Sequence, residues 1–219
     1  MRRSSFLFLL APAFILTACS TSRVSTVWKA EPPNPVTYNK ILVAGIPEIR
    51  DDSVRGVIEQ EVVNRLSALG YYAVSSMKEF GPNGLRSLGE EATYLTLCDN
   101  GIDAVLTFAR VEESYDKSLE KGPAQKYTST FFYNRIWNYR KMQDQNAELG
   151  LPTDGKYVWE VILFDLATLQ PQSVLRTESA RSANAKVNIE AVTSHVLKQL
   201  IEERIIMKQE KSLKPAKAF

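Results

Sequence analysis

"ILVAGIPEIRDDSVRGVIEQEVVNRLSALGYYAVSS", residues Ile41–Ser76, decides the fold. Its first six residues are an unbroken apolar run ended by Pro47, the composition of a strand buried on both faces. The period then changes. Asp51 or Asp52 can cap a helix start, and Val54, Val57, Ile58, Val62, Leu66 and Leu69 recur at helical spacing. Gly70 supplies the left-handed residue that stops a helix, and Tyr71–Ser76 reads as extended again. Two strands joined by a helical crossover predict parallel pairing.

Moving toward the carboxyl end, Gly81-Pro82-Asn83-Gly84 breaks the chain, and Glu90–Asn100 reads as a second helix stopped by Gly101. Ile102–Val111 ("IDAVLTFARV") is a third strand, which completes β-α-β-α-β order. The pattern lapses between Glu112 and Lys156. Tyr157–Leu166 ("YVWEVILFDL") is the clearest strand of the chain, and "ATLQPQ" turns it back into Ser173–Arg181 as a hairpin. Ile189–Ile206 is the last long helix, with Val192, Val196, Leu200 and Ile201 on its buried stripe. The predicted class is α/β: a mixed, mainly parallel sheet flanked by helices, with a C-terminal β-hairpin and a long final helix.

Toward the amino end the reading is about location. Arg2 and Arg3 form a positive start, and Phe6–Leu16 form an apolar segment too short to span a bilayer as a helix. The run stops at Leu16-Thr17-Ala18-Cys19, which resembles the lipobox of bacterial lipoproteins. That resemblance implies cleavage before Cys19 and a diacylglycerol on its thiol. Each buried CH₂ adds roughly 0.8 kcal/mol, so several acyl chains hold a protein to a membrane far better than one. Ser20 stands where an aspartate would signal inner-membrane retention, so the expected place is the periplasmic side of the outer membrane, with the inner membrane or cell surface as alternatives. Residues 20–38 carry Ser, Thr, Pro32, Pro33 and Pro35, a composition suited to an extended tether, within which Val24–Trp28 alternates weakly and can add an edge strand. The expected division is a signal peptide at 1–18, a lipidated tether at 19–38, an α/β domain at 39–207 with an insertion at about 112–156, and a flexible basic tail at 208–219.

"LTAC", "VSTVW", "KILVAGI", "LSALGYYAV" and "GIDAVLTFARV" together resemble a group of uncharacterised bacterial outer-membrane lipoproteins. In that group the strand corresponding to "VWEVILFDLATLQ" continues as a D-x-x-T-G hairpin; here Leu169 stands in place of the glycine. The element order is also similar to the periplasmic domain of the curli-secretion lipoprotein and to the amino-terminal domain of the Tol-system propeller protein. Those resemblances imply assembly and partner binding rather than catalysis, by analogy of fold.

Chemistry is sparse. The chain is 44 % hydrophobic with a formal charge of +2, and the excess comes from Arg2 and Arg3, so no basic field argues for nucleic acid. His195 is the sole histidine and lies about 140° around its helix from Leu200, away from the buried stripe. Cys98 is expected as a buried thiol acting as a small apolar residue, and with Cys19 acylated it has no partner for an internal disulfide. Two cysteines and one distant histidine do not make a zinc site. The acid pairs Asp51-Asp52 and Glu90-Glu91 stand at helix starts, where negative charge is favoured, and Glu112-Glu113 are chain neighbours that diverge. "AGIPEIRDD" lacks the glycine spacing and the Lys-Ser/Thr of a phosphate loop. No catalytic residue, cofactor or metal ligand is assigned.

"TSTFFYNRIWNYRKM" is the most unusual segment. Read as a strand, Phe131, Tyr133, Arg135, Trp137 and Tyr139 share one face, the residue types that dominate binding surfaces. Three readings stand: a structural cover for the sheet, a platform for a partner, or a membrane hairpin, against which Arg135 and the charged flanks weigh. The expected function is that of a non-enzymatic accessory or assembly factor. It is held to lipid through Cys19 and binds an envelope protein or polymer. An oligomeric secretion pore is the alternative, and an envelope hydrolase the weakest reading, because no nucleophile–base pair is visible.

Overall fold

A computed structural model describes residues 23–30, 37–46, 52–85, 88–112, 157–178 and 185–209. Among these, six strands form one sheet: β1 (Arg23–Lys29), β2 (Lys40–Ile46), β3 (Tyr72–Ser75), β4 (Ala104–Glu112), β5 (Tyr157–Asp165) and β6 (Gln170–Glu178). The helices are α1 (Asp52–Ala68), α2 (Ser76–Phe80), α3 (Glu90–Asp99) and α4 (Ala185–Glu202). The spatial order is β1-β6-β5-β4-β2-β3. β2 pairs parallel with both β3 and β4, whereas β4, β5, β6 and β1 pair antiparallel in succession. The α/β class, the mixed sheet, the hairpin and the long final helix are therefore as the sequence predicts, but the sheet is not mainly parallel: only the β-α-β-α-β segment pairs in parallel, because β5, β6 and β1 add to β4 in alternating directions.

The apolar side chains sort into two layers. Ile58, Val62 and Leu66 of α1 and Val192, Val196 and Leu200 of α4 bury one face of the sheet over Ile41, Val43, Leu106, Phe108, Val161 and Leu163. Leu97 of α3, with Phe80 and Leu85, packs on the other face against Leu42, Val105, Ile162 and Phe164. β2 steps to β3 through α1 on one face, and β3 steps back past β2 to β4 through α3 on the other. Both crossovers consequently have the same hand, as twisted strands require. Val57, expected on the α1 stripe, is 43 % exposed. At 100° per residue it lies about 160° from Arg55, and Arg55 and Glu59 are the residues turned inward.

Helix ends follow one pattern. After α1, the Tyr71 amide donates to the Leu66 carbonyl (3.1 Å) and the Gly70 amide to Ser67 (3.0 Å). After α3, Ile102 donates to Leu97 (3.0 Å) and Gly101 to Cys98 (2.8 Å). After α4, Ile205 donates to Leu200 (2.9 Å) and Arg204 to Ile201 (3.0 Å). Each is a Schellman motif, and its last residue (Tyr71, Ile102 or Ile205) is buried. The motif needs a left-handed residue, which is glycine in two cases (φ 97 and 67) and Arg204 (φ 58) in the third. Arg204 is exposed, so Arg204→Gly removes backbone strain and loses little packing. It is expected to stabilise the protein by about 1 kcal/mol, raising Tm by roughly 2–4 °C in a thermal melt. An unchanged or lower Tm would show that the arginine makes up the difference through its side chain.

One end of the sheet is closed by short, bonded connections. The Asp103 carboxylate accepts the amides of Asn39 (2.7 Å) and Lys40 (3.0 Å), and the Asp103 carbonyl accepts the Leu166 amide (3.0 Å). The Tyr71 hydroxyl donates to the Met207 carbonyl (2.7 Å) and accepts its amide (2.9 Å), while Gln209 donates to the Leu69 carbonyl (2.9 Å). Gln209, expected within the flexible tail, is thus bonded to the domain. In the β5–β6 turn, Asp165 Oδ1 accepts the Thr168 amide (3.0 Å), and Leu169 takes the left-handed conformation (φ 55) that glycine adopts at least cost.

β1 realises the edge strand expected within the tether. Its register slips between Thr26 and Trp28, a bulge that moves Trp28 to the opposite face from Val24. This is the physical reason that the alternation looks weak in the sequence. The strand is fastened on two sides. β6 pairs along it, and above it Glu203, just past α4, accepts hydrogen bonds from Thr26 and from Gln199 (2.7 Å), with Lys29 Nζ 3.7 Å away. Partial burial pushes the Glu203 carboxyl up, but those hydrogen bonds and the Lys29 charge outweigh it and hold it below the usual carboxylate value.

Candidate functional site

The connections to the segments that the sequence singled out are rooted at the end of the sheet opposite the closed turns. Arg23 at the start of β1 pairs with Glu178 at the close of β6, and Glu178 pairs with Val158 near the start of β5. Tyr157 in turn sits directly opposite Glu112, the last residue of β4. β2 and β3 finish on the same side, at Ile46 and Ser75. The connections of residues 47–51, 113–156 and 179–184 therefore all leave from this end, as does the chain that leads back to Cys19.

In parallel sheets, ligands settle beyond the carboxyl ends of the strands. Here the protein's own side chains fill that place. The Glu59 carboxylate, fully buried, accepts the amides of Gly45 (2.9 Å) and Met77 (2.9 Å), the hydroxyls of Ser75 (2.5 Å) and Ser76 (2.8 Å), and Nε of Arg55 (2.9 Å). Arg55 donates further to Ser76 Oγ (2.7 Å) and to the Pro82 carbonyl (2.8 Å). A Cβ at Gly45 would stand 3.0 Å from Arg55 Cγ, so any larger residue there would have to push the arginine stem aside by a few tenths of an ångström. Every oxygen of this carboxylate is engaged. The cluster joins β2, β3, α1 and α2, and its chemistry is that of a lock rather than a receptor.

A second buried pair lies in the antiparallel half. Glu160 (1 % exposed) and Arg176 face each other directly across β5 and β6, with Nε and Nη2 of the arginine 3.1 and 3.0 Å from the same carboxylate oxygen. Burial lowers the arginine pKa, so the charged state is held by its partners rather than by water.

The candidate residues fare unevenly. Cys19, Phe131, Tyr133, Arg135, Trp137 and Tyr139 lie outside the described residues. His195 sits on α4 with its Nδ1 2.7 Å from the Ala191 carbonyl, half-buried. Cys98 corrects the expectation of a buried thiol: it is exposed. Among the described side chains of α3, Thr93 and Leu97 are the buried ones, and the thiol, one residue past Leu97, looks outward. Asp52 and Glu90 do open α1 and α3. Among the described residues no group of His, Cys, Asp and Glu side chains converges to hold a metal ion, and no helix is long and apolar enough to cross a membrane. The buried charges Arg55, Glu59 and Glu160, and the partly buried Arg176, are not apparent from the sequence. The available signals were an Arg-Glu pair four residues apart beside an apolar stripe, and a lone acid inside the most apolar strand.

No protein-family model and no curated protein matches this chain. Among solved structures it is similar to a PelC dodecamer from Paraburkholderia phytofirmans carrying a leucine-to-methionine substitution, at TM-score 0.41 and 13 % identity over 87 % of this chain and 100 % of that one. A second PelC dodecamer from the same organism aligns at TM-score 0.37 and 14 % identity over 86 % and 99 %. Lipoprotein GNA1162 from Neisseria meningitidis aligns at TM-score 0.37 and 14 % identity over 75 % and 99 %. At these scores no role passes from those proteins to this one.

Proposed function

We propose that this protein is a lipid-anchored envelope lipoprotein on the periplasmic side of the outer membrane. It works without catalysis, as an accessory or assembly factor that presents its insertion to an envelope protein or polymer. The observation that supports this reading is the stem of the insertion. Residues 113–156 leave the sheet at Glu112 and re-enter it at Tyr157, its direct partner, and nine registered pairs hold β4 against β5 below that point. Variable segments set on a rigid scaffold are where binding residues concentrate. Within this segment Phe131, Tyr133, Arg135, Trp137 and Tyr139 supply aromatic and guanidinium area of the kind that anchors interfaces. Lipid on Cys19 supplies the membrane attachment.

Two variants test it. Cys19→Ala is expected to move the protein from the membrane fraction to the soluble one; unchanged fractionation refutes the anchor. Phe131, Tyr133 and Trp137 changed together to Ala should leave thermal unfolding unaltered while removing the crosslinked adduct that the acylated protein forms in its own membranes. Loss of folding in that variant assigns the segment to packing. A large ring on detergent extraction replaces the accessory role with that of a secretion pore.

A further inference from the structure

We infer that a phospholipid headgroup surface lies against the end of the sheet at which β1 begins, an assignment that rests on the lipidated Cys19 proposed above. Residues 20–22 alone separate Cys19 from Arg23, the first residue of β1. A chain of that length spans at most about 14 Å even when fully extended. The stretch from Cys19 to residue 38 is therefore not a free leash, because its middle is a strand of the domain. Nor can β1 peel off to lengthen it. The strand pairs with β6 from Arg23 to Lys29, and Thr26 and Lys29 are both fastened to Glu203.

The opposite end of the sheet is far away by comparison. β6, nine residues long, carries the chain about 27 Å from Gln170 to Glu178. With Arg23 held near the headgroups, the 166–169 turn and the bonded cluster of Asp103, Tyr71 and Gln209 point away from them. Glu112 and Tyr157, the roots of the insertion, share the Arg23 end. The longest connection of the chain is thus rooted on the lipid side, which also narrows the reach of whatever it binds to components at the membrane.

Nitroxide quenching on vesicles tests this. The full acylated chain, with the exposed Cys98 changed to Ser, takes a thiol-reactive fluorophore at one of two exposed positions: Ser25→Cys near the start of β1, or Ala167→Cys in the far turn. Vesicles of phosphatidylethanolamine and phosphatidylglycerol carry nitroxide on a fraction of their headgroups. The probe at position 25 is expected to be quenched several-fold more than the probe at 167. Equal or reversed quenching on bound protein overturns the assignment alone, whereas failure to float with the vesicles overturns the anchored reading and the assignment together. Val27→Cys, on the same strand, serves if Ser25→Cys does not fold. Inserting about twelve Gly and Ser residues between Ser22 and Arg23 adds ~20 Å of slack and should erase the difference while flotation persists; a difference that survives it overturns the claim that the short connection sets the orientation.

Discussion

Glu59→Ala is expected to destabilise the protein by about 3–5 kcal/mol, the cost of removing one partner from a buried ion pair. The loss is larger than the missing methylene groups explain. Arg55 would be left with its charge 6 % exposed, and the amides of Gly45 and Met77 would lose their acceptor. At roughly 2–4 °C per kcal/mol for a chain of this size, Tm should fall by about 6–20 °C. Glu59→Gln keeps the shape, so a large part of the loss surviving in that variant assigns the effect to charge and acceptor number rather than to volume. A melt of Glu59→Ala that overlays the wild type would show that the cluster holds nothing together.

Arg176→Ala is expected to cost about 3 kcal/mol, because it leaves the Glu160 carboxylate inside the sheet without its guanidinium. The more informative variant is double. Glu160→Val with Arg176→Val replaces the cross-strand pair by two β-branched residues suited to the same positions. It should be less destabilised than either single truncation, since burying two paired charges repays little compared with burying none. Denaturant unfolding of Glu160→Val, Arg176→Val and the double closes the cycle and gives the coupling directly. Losses that simply add would mean that the two residues do not act as a pair.

Legibility in the sequence followed how local the determining physics is. β2, α1 and the β5–β6 hairpin were legible because each carries its own signal: an apolar run, a helical period, a turn between alternating strands. Gly70 and Gly101 marked two helix ends because a left-handed residue is needed at that one spot. Arg204 and Leu169 adopt the same conformation without glycine, and nothing local announces it. α2 was missed because five residues are too few to show a period. The burial of Glu59 was invisible for a different reason. It depends on donors from Gly45, Ser75, Ser76 and Met77, which only the assembled strands bring together. Cys98 was misjudged because its helix is covered only around Thr93 and Leu97, and a sequence does not say how wide a helix's buried stripe will be.

The pairing of β1 also orders events in time. Arg23 finds its partner at Glu178, and Thr26 is fastened to Glu203, so β1, synthesised before the other described strands, is among the last to be satisfied. Contacts this distant in sequence slow folding, because a long loop must close before they repay anything. A nascent polypeptide halted before β6 would therefore leave β1 without its partner and the border of β5 bare, open to pairing with another chain.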